Sequence, residues 1–276
     1  MKRIYLIIIA SIFLLLSLSI GLIFFFSNRQ KNLQFEEKPK LELKEDEPLI
    51  VDGSYQTKQL TIDDLYINFD VKYPYFKNAN IDFNLSIENF LKEQIESDKM
   101  IAKENWQARY DLQTREDKIP EVPQEEDKFY FYSDYTIVQS NSSFVSFVLS
   151  FGAFTGGAHG YEVKKSYNYD LENNRYLTLA DIYKGDESYL DKLSQTSREI
   201  LKKEYATVSD EDRANSDPLA IEDYLENINS SIDNGTEPLE DNFKTFTFTP
   251  NGIKIYFAQY QVGPYVMGMP EIEIPL

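Results

Sequence analysis

The sequence contains no cysteine and only one histidine, His159. Without cysteine the chain forms no disulfide, holds no metal through thiolates and has no thiol nucleophile. Zinc-dependent hydrolases need several ligands, usually with at least two histidines, which one histidine does not supply. We therefore predict no metal site, no cofactor and no catalytic residue, and we expect the protein not to be an enzyme.

The motifs that bind phosphates or nucleotides are also missing. Gly156-Gly157 is not followed by Gly-Lys-Ser/Thr, and the chain has no G-x-G-x-x-G pattern. There is no G-x-S-x-G nucleophile elbow to pair with His159. A histidine in a glycine-rich turn more often stabilises that turn through hydrogen bonds, so this interpretation is favoured here.

Two arrangements of carboxylates remain as alternatives. The chain has 46 acidic residues, enough that some pair will approach as in a carboxylate-based wall hydrolase. Asp170 and Asp181 flank a polar turn and would suit a cation, but turn formation explains Asp170 and helix capping with Thr178 explains Asp181. The structural explanation is favoured for both.

The charge of the chain is strongly negative. It has 46 acidic and 28 basic residues, which gives −18. Lys2, Arg3 and Arg29 are the only charged residues before position 30, so residues 30–276 carry −21. Such a surface repels nucleic acid, which we exclude as a partner, and it suits a basic protein.

A long uncharged segment begins almost at the amino terminus. Residues 4–26 would span roughly 34 Å as a helix, enough to cross the hydrocarbon core of a bilayer. The segment ends without a small-residue cleavage site, which favours an uncleaved signal anchor over a cleaved signal peptide. The basic stub of residues 1–3 is expected in the cytoplasm. We therefore predict a single-pass protein of the cell membrane, with a charged stalk over residues 27–60 and an extracytoplasmic C-terminal part.

Hydrophobic periodicity predicts an α+β fold with an antiparallel sheet and packed helices. Two closely associated subdomains are expected over residues 61–125 and 126–276, because an acidic, proline-containing loop lies between them. Helices are expected after a cap at Asn84 or Ser86, over residues 188–205 and over residues 218–230. Strands are expected at residues 66–73, 129–138, 143–151, 161–169, 243–249, 253–259 and 271–274.

The segment over residues 151–183 has the most specific local chemistry. Four glycines lie within nine positions, so the backbone there reaches conformations that a Cβ forbids. The TGGAHG turn, the aromatic strand that ends in Asp170 and the sequence LTLADIY together resemble the C-terminal ectodomain of RsiV-type lysozyme-sensing anti-sigma factors. A similar module stands beside the deacetylase domain of PdaC-type proteins. Residues 246–275 continue the resemblance, and residues 66–84 resemble the start of the companion domain.

The resemblance implies a membrane-anchored, extracytoplasmic sensor that binds a cationic lysozyme-like protein. We expect a non-enzymatic binding or sensor protein of the bacterial envelope, with a peptidoglycan-binding module as the alternative and the wall hydrolase as a third. An exposed recognition site is expected where the glycine-rich turn and an aromatic loop near the C-terminus supply ligand contacts. The candidate binding residues are Thr155, Gly156, Gly157, His159, Tyr260, Tyr265 and Met267.

Overall fold

The computed structural model describes residue 50 and residues 53–113, 118–209 and 217–276. The expected membrane span over residues 4–26 and most of the expected stalk lie outside the described residues. Among the helices in the described ranges, none is long and apolar enough to cross a bilayer.

Six strands form the larger sheet and lie in the order of the sequence. They are β1 (Tyr55–Leu60), β2 (Ile67–Phe76), β3 (Phe129–Ser140), β4 (Phe144–Phe154), β5 (Tyr161–Asp170) and β6 (Arg175–Tyr176). Every neighbouring pair is antiparallel except β2 and β3, which are parallel. The prediction of a purely antiparallel sheet is therefore wrong, and the sheet is mixed. Helix α1 (Ile81–Leu112) supplies the long crossover that a parallel pair requires.

Two strands differ from the expectation at the edge of this sheet. Residues 55–60 belong to the expected stalk but form β1, which pairs with β2 and is largely exposed. An edge strand with few apolar side chains gives almost no periodic signal. Strand β2 was expected to end at residue 73 but continues through Pro74 to Phe76. Proline has no backbone N–H to donate to a neighbouring strand. Beyond Val71 only β1 pairs with β2, so no second strand requires an N–H from Pro74.

Helix α1 covers one face of the larger sheet. Ile87, Leu91 and Ile95 recur at helical spacing and are fully buried against the sheet. Asn80 caps the helix by accepting from the backbone N–H of Asp82, so the expected caps at Asn84 or Ser86 are wrong. The expected boundary near residue 125 falls between α1 and β3, and strands on both sides of it belong to the same sheet.

The remaining elements follow the larger sheet. Thr178 and Asp181 form the expected capping box at the start of a short helix. The helix expected over residues 218–230 starts after the cap Asp217 and continues to Gly235. The helices are α2 (Leu179–Ile182), α3 (Tyr189–Tyr205) and α4 (Pro218–Gly235), and the smaller antiparallel sheet contains β7 (Phe246–Thr249), β8 (Gly252–Tyr256) and β9 (Glu271–Pro275).

Three polar side chains, two of them buried, join the two sheets. Strand β7 is an edge strand, so one row of its backbone groups has no strand partner. Phe248 N donates to Ser146 Oγ at 2.8 Å, and Phe246 N donates to Ser166 Oγ at 3.0 Å. Asn168 Nδ2 donates to Phe246 O at 2.8 Å, while Asn168 Oδ1 accepts from Ser146 Oγ at 2.6 Å. We call these three side chains, Ser146, Ser166 and Asn168, the polar junction.

Another buried polar contact joins α1 to the start of β5. The carboxylate of Asp98 is only 3% exposed and accepts from the Tyr161 hydroxyl at 2.5 Å. Burial raises the pKa of Asp98 above its ordinary value of 3.8, and the hydrogen bond from Tyr161 opposes this shift. The folded protein therefore holds the Asp98 proton more tightly than the unfolded chain does.

This contact predicts how the free energy of unfolding depends on pH. Between the ordinary pKa of Asp98 and its raised folded value, the folded state binds more protons, so the contribution of Asp98 to stability falls as pH rises. In Asp98→Asn this contribution is absent, and the variant should gain stability relative to the wild type as pH rises from about 3.5 to 7. Urea unfolding of the purified chains across that range measures the difference.

The exposed Asp223 on α4 provides the matched control, as Asp223→Asn. The free energy of unfolding of Asp223→Asn should differ from that of the wild type by the same amount at every pH. If the difference for Asp98→Asn is equally independent of pH, burial does not raise the pKa of Asp98.

Candidate functional site

Two loops from different sheets meet at one end of the protein. Residues 155–160 connect β4 to β5, and residues 257–270 connect β8 to β9. The imidazole of His159 stacks on the ring of Tyr265, with centroids 4.4 Å apart and an interplanar angle of 30°. The ring of Tyr260 lies 5.8 Å from that of Tyr265. The structure thus brings three of the expected binding residues into one cluster.

The cluster is open to solvent. Tyr260 is 58% exposed, Tyr265 is 40% exposed and His159 is also exposed. His159 Nδ1 lies 2.9 Å from the carbonyl oxygen of Gly160, which only accepts, so Nδ1 carries the proton. Nε2 faces the Tyr260 hydroxyl at 3.5 Å. The imidazole of His159 is therefore held between its own turn and the neighbouring loop.

The backbone of Tyr260 adopts a conformation that residues other than glycine rarely use. Its φ is +64°, a strain of roughly 1–3 kcal/mol that persists only where the surroundings enforce it. Gln261 provides that enforcement: its amide nitrogen donates to Gly235 O and Asn242 O at 3.0 Å each, and its amide oxygen accepts from Ala258 N at 2.9 Å. The end of α4 thereby fixes the loop that presents Tyr260.

The other expected binding residues lie around the cluster and not in it. Thr155 accepts from Asn105 Nδ2 at 2.7 Å through its backbone oxygen, which ties the turn to α1. Gly156 and Gly157 have φ of +105° and +100°, so both require the freedom of glycine. The sulfur of Met267 lies 2.0 Å from the position that a Cβ on Gly263 would take, so it packs against the backbone of its own loop.

A second row of side chains extends this surface, and the sequence analysis missed it. Tyr132 on β3, Gly152 on β4 and Glu162 on β5 are direct neighbours across the sheet. A Cβ on Gly152 would lie only 3.1 Å from the Tyr132 ring. The absence of a side chain at Gly152 therefore allows the Tyr132 ring to lie over this residue, on the side of Glu162. Burial and the hydrogen-bonded carboxylate of Glu162 raise the pKa of Tyr132 to about 12.

This row borders the loop cluster. The hydroxyls of Tyr130 and Tyr265 are close enough to Tyr132 to interact with it electrostatically, and Tyr130 is 51% exposed. The alternation FYFYSDY places Tyr130 and Tyr132 on the same face of β3, and this signal would have found them. We call Tyr130, Tyr132, His159, Tyr260 and Tyr265 together the aromatic surface.

Glu162 is the acidic group beside the aromatic surface, and nearby lysines have other partners. Lys164 pairs with Glu271, which also pairs with Lys254 at 3.3 Å. Lys72 pairs with Asp70 at 3.0 Å. Within the described part of the chain, no lysine or arginine forms an ion pair with Glu162. The aromatic surface therefore lies beside a carboxylate that has no lysine or arginine partner among the residues that the structure describes.

The alternative cation site at the polar turn is occupied by protein groups. Asp170 accepts from the backbone N–H of Glu172 at 3.0 Å and of Asn173 at 2.9 Å, and it lies 3.9 Å from Arg175. Asp181 accepts from Arg175 at 2.9 Å. In the described ranges no three histidine, aspartate or glutamate side chains converge as a metal site would require.

Comparison with known families gives two matches along the chain. Residues 61–162 match a family described as Deacetylase PdaC, and residues 180–276 match a family described as a protein of unknown function, DUF3298. The PdaC match crosses residue 125, where we expected a subdomain boundary.

A curated protein and several solved structures are similar to this chain. The peptidoglycan-N-acetylmuramic acid deacetylase PdaC of Bacillus subtilis (strain 168) is 29% identical over 222 residues, which cover 80% of this chain and 40% of that protein. The chain thus spans about two fifths of the length of this curated relative. A solved DUF3298 structure from Bacteroides fragilis has the same fold, with a TM-score of 0.53 at 18% identity over 80% of this chain and 89% of that one. A DUF3298 structure from Pseudomonas aeruginosa matches with a TM-score of 0.44 at 16% identity, covering 84% and 92%.

These comparisons correct one expectation. The curated relative and the family that matches residues 61–162 both carry the name of a deacetylase, which is an enzyme, so the expectation that the chain is not an enzyme is wrong. The PdaC-type part of the resemblance is confirmed. The chain therefore resembles PdaC proteins over residues 61–162 and DUF3298 proteins over residues 180–276.

Proposed function

We propose that this chain takes part in peptidoglycan deacetylation in the bacterial cell envelope, and that the aromatic surface holds the glycan. The name of the PdaC relative supports the choice of polymer. The observation that carries the proposal is the stack of His159 on Tyr265, with Tyr260 beside it. Exposed rings of this kind present apolar faces to the apolar faces of sugars, and their polar atoms bond to hydroxyl groups.

The rings are held in position before any ligand binds. Gln261 fixes the loop of Tyr260, and the glycine turn fixes His159. A surface that is already ordered loses little conformational entropy on binding, which favours the recognition of a flexible polymer. The glycan would therefore lie across two loops, one from each sheet.

The glycan proposal predicts the effect of removing the rings. Tyr260→Ala and Tyr265→Ala should each weaken retention by insoluble peptidoglycan about five- to tenfold, because each loses a stacking surface of roughly 1–1.4 kcal/mol. A pull-down of the purified chain against increasing amounts of peptidoglycan measures this retention. Tyr224→Ala, an exposed tyrosine on α4, is the control and should bind as the wild type does. Unchanged retention in both loop variants would remove the basis of the proposal.

A second candidate function is the binding of a cationic lysozyme-like protein. It is supported by the charge of −21 over residues 30–276. Opposite charge raises the association rate of two proteins most strongly at low salt. Calorimetric titration of the purified chain with lysozyme should therefore give binding at about 50 mM salt that weakens several-fold at about 300 mM. The absence of any salt-sensitive association would exclude this candidate.

We also propose that residues 4–26 anchor the chain in the cell membrane, with residues 1–3 inside and the acidic part outside. The uncharged length of the segment supports this topology. Protease added to intact protoplasts should digest the acidic part, and deletion of residues 4–26 should release the protein from the membrane fraction. Protection from the protease, or a membrane fraction that keeps the deletion variant, would contradict the topology.

A further inference from the structure

Glu162 adds a chemical preference to the aromatic surface. The residue is partly buried, it is the cross-strand neighbour of Gly152 beside Tyr132, and no lysine or arginine of the described ranges pairs with it. An exposed group of rings alone would accept any sugar. A carboxylate without a cationic partner beside such rings favours a ligand that brings its own positive charge.

We propose that the aromatic surface prefers hexosamine units whose acetyl group has been removed and whose amine is protonated. This inference rests on the proposed glycan function and specifies the ligand. An N-acetylated unit carries a neutral amide, whereas the free amine becomes an ammonium with three donors and one positive charge. Glu162 accepts from that ammonium, and the adjacent tyrosine rings attract it through their negative faces.

The geometry around Glu162 supports a bound cation in this position. Tyr132, Gly152 and Glu162 are direct neighbours across the sheet, and the Tyr132 ring lies over Gly152 close enough to the carboxylate to interact with it electrostatically. Lys164, two residues further along β5, is engaged with Glu271 and does not compete for Glu162. A ligand ammonium therefore meets a carboxylate at the border of the ring cluster.

This preference implies that the aromatic surface binds the glycan after the deacetylation step. Hydrolysis of the acetamide consumes one water, breaks the C–N bond and yields acetate and the free amine. A surface that holds the amine-bearing product keeps the protein on stretches of glycan that have already been deacetylated. It would thereby direct further action to neighbouring units of the same strand.

The test compares two soluble ligands of equal length, a tetramer of glucosamine and a tetramer of N-acetylglucosamine. Calorimetry with the purified full chain at about pH 6, where a sugar amine is protonated, measures both affinities. The glucosamine tetramer should bind about tenfold more tightly, and Glu162→Gln should abolish this difference. Glutamine keeps an acceptor for the Tyr132 hydroxyl, and an unchanged unfolding temperature verifies that the variant is folded.

Two controls separate this site from general attraction to an acidic protein. Glu222→Gln removes an exposed carboxylate on α4 and should leave the preference intact. The glucosamine tetramer should lose more affinity in Tyr265→Ala than a tetralysine peptide does, because only the sugar has an apolar face that stacks on the ring.

The possible outcomes distinguish the two proposals. Equal affinity for both tetramers, reduced in Tyr265→Ala, would overturn the preference and retain the glycan function. A preference that survives in Glu162→Gln would also overturn the role of this carboxylate. Failure of both tetramers to bind, together with unchanged peptidoglycan retention in the loop variants, would overturn both proposals.

Discussion

The hydrogen bonds between the polar junction and the free edge of β7 determine where the smaller sheet lies. Ser146, Ser166 and Asn168 extend from one face of the larger sheet and bond to backbone groups of Phe246 and Phe248. These contacts replace the partner strand that β7 lacks on this edge. Each buried backbone group left without a partner would cost about 1–3 kcal/mol, so alternative placements of the two sheets are penalised.

The position of the aromatic surface follows from this junction. With β7 fixed on the larger sheet, the loop from β8 to β9 reaches the turn from β4 to β5, and Tyr265 meets His159. The contact between Lys164 and Glu271 adds a second link between the same two sheets. The surface therefore depends on side chains more than 70 positions apart, and no single segment of the sequence contains it.

This separation explains what the sequence could and could not predict. Local signals gave the capping box of Thr178 and Asp181, the glycine turn and most strands, because each depends on neighbouring residues. The edge strand β1 and the parallel pairing of β2 with β3 leave no local pattern. His159, Tyr260 and Tyr265 were each recognisable, but their contact depends on the polar junction. The expectation that the chain is not an enzyme rested on its single histidine and its lack of cysteine. Counting such residues tests only for metal centres of known types, and it does not show which family a chain resembles.

The most direct test of this account is the environment of the single histidine. Because His159 is the only histidine in the sequence, its imidazole protons give unambiguous NMR signals. Stacking on Tyr265 predicts ring-current shifts upfield of an exposed histidine and nuclear Overhauser contacts to the Tyr265 ring, both lost in Asn168→Ala, where the polar junction is broken. Imidazole signals at the positions of a free histidine in the wild type, with no contact to Tyr265, would contradict the account.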